Sequence, residues 1–149
     1  VNRLPPVTTP VETVEAIAEY IQKYQITIAE GSGWCDTSQA FKDLGYLDIA
    51  KKYGIKLIDL NKDGYEIRKN PYALALKEFE FPLTLKNSYL ISAAVLKEHS
   101  ITSVSLSLKN MLGATLGEKA RIAKKGRFHK KLDESIVDIN LYLKPDFST

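Results

Sequence analysis

A chain of 149 residues suits one domain, residues 1–149, built around a single core. Its composition, 44% hydrophobic and 26% charged, is that of an ordinary globular protein, and neither a membrane-length apolar run nor an export leader is read in it. The single cysteine, Cys35, excludes an internal disulfide and any cluster or structural zinc held by cysteines of this chain alone, so a cytoplasmic setting is expected.

"VNRLPPVTTP" reads as an extended loop, because three prolines block ladder and helix bonds. Thr9 then stands where an N-cap belongs, with Pro10 at the first helical position and Glu12 completing a capping box. The first helix is expected to run to about Tyr24, with Val11, Val14, Ile17, Ala18 and Ile21 on one stripe. "ITIA" predicts a short buried strand, followed by "EGSG" and a second helix capped by Asp36. "AFKDLGYLDIAKKYG" is helical with a break near Gly45 and a stop at Gly54.

"IKLIDL" predicts the next strand, Asn61 to Pro71 is polar and turn-rich, and "ALKEFEF" alternates like an edge strand. Pro82 opens a helical turn, and "YLISAAVL" is apolar enough for a strand covered on both faces. "SVSLSLKNMLG" begins with strand-like alternation, but Val104, Leu108, Met111 and Leu112 follow helical spacing, and a helix is the reading taken. A last helix spans about Phe128 to Leu143. Helices alternating with strands across short connections predict an α/β fold, a mostly parallel Rossmann-like sheet with helices on both faces. The loop at the start and the strand-like "KPDFST" at the end are expected of a piece of a longer domain.

In such a sheet, ligands bind beyond the carboxyl ends of the strands. Three predicted strands end in suitable groups: Glu30, Gly31, Ser32, Gly33, Trp34 and Asp36; then Asn61; then Lys97, His99 and Thr102. Paired glycines around a serine let backbone N–H groups approach an anion, although a plain tight turn explains the same residues. The His99 imidazole suits a metal ligand, a proton carrier or a donor to an oxyanion, and Lys97 supplies charge beside it. Thr102 serves either as a cap or as a ligand-binding hydroxyl, while Lys109 and Asn110 lie late in the following helix. No metal site is predicted, because the two histidines are thirty residues apart and lack ligand spacing. Cys35 is read as an inert thiol.

Charge is unevenly spread. Lys119 to Lys131 holds seven Lys/Arg residues and no acid, so the rest of a chain with net charge +3 is net −4. This run is read as a basic flap over an anionic ligand, carried by Lys124, Lys125 and Arg127. Nucleic acid is the weaker reading, since Phe128 is the run's one aromatic.

Several segments together carry a resemblance: "TTPVETVEAI", "AEGSGWCDT", "GYLDIAKKYGIKLIDLN", "LKEHSITSVSLSLKNMLG", "FHKKLDESIVDIN" and "KPDF". The chain resembles the family called domain of unknown function 362, most specifically through Lys97, His99, Thr102, Leu108, Lys109, Asn110 and Gly113. It departs from the pattern at Ser105, where many relatives have glycine. Some relatives carry ferredoxin-type cysteine motifs, which implies an iron–sulfur-linked redox setting but no cluster in this chain. The expected function is binding of, or action on, a small anionic molecule at the carboxyl edge of the sheet, with Lys97 and His99 as the candidate catalytic pair. Whether the chain is an enzyme stays open. The alternative is a non-catalytic module that docks a ferredoxin-like domain, another protein or a nucleic acid through the basic run.

Overall fold

The computed structural model describes residues 8–33, 35–117 and 125–149. Helix α1 (Val11–Tyr20) starts after Pro10, but Thr9 does not cap it. Thr9 Oγ1 donates instead to Ala93 O at 2.8 Å, tying the entry of the helix to a distant segment. Strand β1 (Thr27–Glu30) leads through the glycine loop to α2 (Thr37–Asp43), whose first turn is capped by Asp36 accepting from the Gln39 N–H at 2.9 Å. Gly45, at φ 82°, makes the left-handed turn that separates α2 from α3 (Tyr46–Tyr53). Gly54, at φ 67°, ends α3 in the same conformation. Strand β2 (Lys56–Asp59) pairs in parallel with β1, from Thr27 opposite Lys56 to Glu30 opposite Asp59.

Beyond β2 the expected mostly parallel sheet gives way, among the described residues, to short ladders. Strand β3 (Tyr65–Lys69) lies in the stretch read as turns and pairs antiparallel with β4 (Glu78–Pro82). The predicted strand over 89–96 is regular only at β5 (Ile91–Ser92), which pairs in parallel with β8 (Phe147–Ser148). Lys97–His99 then form a separate strand, β6, antiparallel to β7 (Ser103–Ser105). The turn between them is closed by Ser103, whose φ of 58° lies in the left-handed region. The helix expected over 103–113 is therefore split, and only α4 (Ser107–Asn110) is helical. Helix α5 (Leu132–Tyr142) follows a 3-10 stretch from Gly126 to Lys131. The architecture is α/β, but among the described residues its four ladders are two-stranded, two parallel and two antiparallel.

Two apolar clusters hold these pieces. Phe41, Tyr46 and Ile49 bury the inner faces of α2 and α3 against α1 and the first parallel ladder. The larger cluster joins Phe79 and Phe81 of β4 to Met111, Leu112, Phe128 and the buried stripe of α5, Leu132, Ile136 and Ile139. Tyr142 stacks on Phe79 with ring centres 4.8 Å apart, and the Arg68 guanidinium lies 3.2 Å from the centre of the Phe81 ring. Asp138, fully buried, accepts from the N–H groups of Leu74, Ala75 and Leu76 at 2.7–2.9 Å and pins that loop to α5. Among the described residues, no helix is long and apolar enough to cross a membrane.

Candidate functional site

The site is built from the carboxyl end of β1 upward. Glu30 is the last residue of that strand, and Gly31 next to it donates its N–H to Gly113 O at 2.9 Å. This contact joins the end of β1 to the turn that follows α4. It demands glycine at Gly31, where the close neighbours are backbone oxygens, while at Gly113 the nearest atom is the end of a side chain. A Cβ at Gly31 would stand 2.8 Å from Gly113 O and 3.0 Å from Thr115 O, and one at Gly113 would stand 2.7 Å from a Glu30 carboxylate oxygen.

The glycine loop is thus packed rather than open. Besides the Gly31 N–H, the Ser32 N–H is also occupied, donating to Thr37 Oγ1 at 3.2 Å. Ser32 Oγ lies 2.9 Å from Cys35 Sγ and accepts from the Cys35 N–H at 3.4 Å. Asn61, just beyond β2, donates from Nδ2 to Ser32 O at 3.0 Å and to Thr37 Oγ1 at 3.3 Å, locking the loop from the neighbouring strand. An anion cradle needs donors pointing outward, and the donors of Gly31 and Ser32 are turned inward. Gly33 is half-buried against the Lys125 side chain, whose Cγ a Cβ there would meet at 3.7 Å.

Two described residues of the basic run have partners within the domain. Lys125 is only 5% exposed, and its Nζ donates to both Thr115 O and Thr115 Oγ1 beside the Gly31 loop. Arg127 pairs with Glu80 at 2.7 Å and lies over the Phe128 ring. Each of these two residues has an acceptor within the domain. Lys124, the third flap residue, lies outside the described residues, as does Trp34.

Lys97 and His99 of β6 and Lys109 of α4 share one electrostatic neighbourhood. Glu30 is within electrostatic reach of Lys97, and Lys97 of Lys109 and His99. Burial pushes the Lys97 and Lys109 ammonium groups below their ordinary range. Glu30 resists the shift at Lys97, and the neighbouring Lys97 reinforces it at Lys109. Burial raises the Glu30 carboxyl, against the pull of Lys125, the Gly31 N–H and Lys97. Two cations and an acid at one partly buried spot are expensive to assemble without a use.

The histidine is held in one state. Its Nδ1 accepts from the N–H groups of Ile101 and Thr102, at 3.2 and 3.3 Å, which requires the neutral ring with its proton on Nε2. Burial, then Lys109, His129 and Lys97, hold it below the usual histidine range. At neutral pH it offers an N–H donor, which suits contact with an oxyanion. Thr102 serves the imidazole through its backbone, and its hydroxyl donates locally to Val104 O at 2.9 Å.

Two candidates are engaged elsewhere. Asp36 caps α2 and lies 3.6 Å from Lys62, which also pairs with Asp59 at 3.0 Å. Asn110 spends its side-chain amide on Ser92 Oγ at 3.1 Å, fastening α4 to β5. Glu30, named at the end of the first predicted strand, lies within electrostatic reach of Lys97. Among the described residues, no group of three or more His, Cys, Asp or Glu stands together to hold a metal ion.

A mixed α/β domain with Lys97, His99 and Lys109 in one electrostatic neighbourhood is the class that fold and site define. The profile of the family described as Domain of unknown function (DUF362) matches residues 2–149, and the chain belongs to that family. Neither the curated proteins nor the solved structures compared with the chain gave a match.

Proposed function

We propose that this protein binds a small anionic ligand at the cluster of Lys97, His99 and Lys109. The observation that carries this reading is two partly buried lysines within electrostatic reach of a histidine whose Nδ1 hydrogen bonds leave Nε2–H as its remaining donor. Lys97 and Lys109 supply the charge and His99 a directed hydrogen bond. The glycine loop and Lys125 act as the platform that sets Glu30 in place. Glu30 limits the net positive charge and is the group available to take or return a proton if the ligand reacts. In this reading β1 and β2 belong to a Rossmann-like sheet, and the protein works in the cytoplasm within an iron–sulfur-linked redox system.

The test is titration of the protein with butyrate and with inorganic phosphate at pH 7, followed by NMR. Lys97→Gln and Lys109→Gln are each expected to weaken binding about tenfold or more, as loss of a charged hydrogen bond implies. Lys23→Gln, on the exposed end beyond α1, leaves it unchanged. Wild-type affinity in both cluster variants overturns the proposal, as does absence of binding in the parent protein.

A further inference from the structure

The cationic cluster does not end in open solvent. Lys109 and Thr102 also border a shallow hollow of about 460 Å³, and its wall beside them is aliphatic: Val104, Leu106, Leu108 and Ile136. Val104 is 51% exposed, Leu106 44% and Leu108 61%. Single exposed aliphatic residues are common, but several lining one concavity mark a place where something apolar sits. The hollow falls in the size range of small-molecule sites, roughly 300–1,000 Å³, and one of its walls carries the charge that would orient a ligand.

We infer that the ligand is an amphipathic carboxylate, its head at Lys97, His99 and Lys109 and its apolar body along Val104, Leu106 and Leu108. This rests on the anion-binding reading above and narrows it. A carboxylate suits the head: Lys109 lines the hollow and Lys97 lies within electrostatic reach of it, while Asp133 on the same wall repels further negative charge. The neutral His99 adds a donor and no charge. The ligand spans the two regions because Lys109 belongs to both.

The experiment compares butyrate with decanoate, the latter kept below its micelle-forming concentration, in NMR titrations at pH 7. Decanoate is expected to bind at least about tenfold more tightly, since its longer chain removes apolar surface from water on the groove wall. In a Val104→Thr/Leu108→Gln variant, melting like the parent protein, that advantage disappears while butyrate affinity stays. Equal binding of both acids, lost in Lys109→Gln, overturns the amphipathic inference and leaves the anion site standing. A decanoate advantage that survives in Val104→Thr/Leu108→Gln also overturns it, because the chain then lies elsewhere. So does self-association of the parent protein in sedimentation that the same variant abolishes, which assigns the hollow to a second copy. Failure of both acids to bind overturns both readings.

Discussion

Gly31 and Gly33 share one short loop, yet the structure assigns them opposite sensitivities. Gly31→Ala places a methyl group 2.8 Å from Gly113 O and 3.0 Å from Thr115 O, and neither backbone atom can swing aside. Overpacking of this kind costs about 1–3 kcal/mol. The Gly31 N–H bond to Gly113 O, worth about 1 kcal/mol, stretches as the seam opens. Alanine recovers about 0.4–1 kcal/mol by restricting the unfolded chain, since Gly31 does not adopt positive φ. The net loss is about 1–3 kcal/mol, or about 2–12 °C in melting temperature for a domain of this size. Gly33→Ala meets only the Lys125 Cγ at 3.7 Å and is expected to melt within about 2 °C of the parent. Thermal melting of both variants, with butyrate titration, is the assay. If the loop were an anion cradle, the result would be the reverse: two stable variants, each with lost anion binding. That outcome refutes the packing argument.

Two further predictions concern buried polar groups. Asp138→Asn turns an amide NH₂ toward a set of three N–H donors and is expected to cost about 2–4 kcal/mol in urea titration at pH 7. Burial by itself would raise this carboxyl, but the three N–H groups outweigh it and hold it below the ordinary aspartate range. Its stabilisation is therefore complete above that ordinary range and is lost as pH falls through the native value, so the gap between variant and parent narrows in acid. A cost under about 1 kcal/mol at pH 7 counts against the clamp. For His99 the native value lies below the ordinary 6.5, so the unfolded chain takes up a proton before the native ring does. The stability His99 contributes is complete above pH 6.5 and fades as pH falls through the native value. His99→Gln is expected to flatten melting temperature against pH between about 7 and 5. An unchanged slope argues against the neutral ring held by Ile101 and Thr102.

Local chemistry was legible where one residue type suffices for one conformation. Asp36 capping α2, Gly45 breaking the helix and Gly54 ending α3 each depend on near neighbours, and each stands where its side chain, or lack of one, predicts. The first two parallel strands were legible for the same reason, as short apolar runs bounded by loops. Apolar content misled at 89–96. There the register of partners decides: Ile91 and Ser92 pair with the chain's end, while Lys97 to His99 turn back on Ser103 to Ser105. Thr9 likewise left its expected cap for Ala93, a choice no local window contains.

The sequence by itself determined which groups were available: a glycine loop after a strand, His99 two residues after Lys97, and a basic run without acids. Only the tertiary structure decided which of them meet. It turned the glycine donors inward because Gly113 approaches so closely, and it buried Lys125 against Thr115. It also set Glu30 opposite Lys97, sixty-seven positions away in the chain. Charge and hydrogen bonding act through space over a few ångströms, whereas sequence spacing reports only what one helix or strand can bring together.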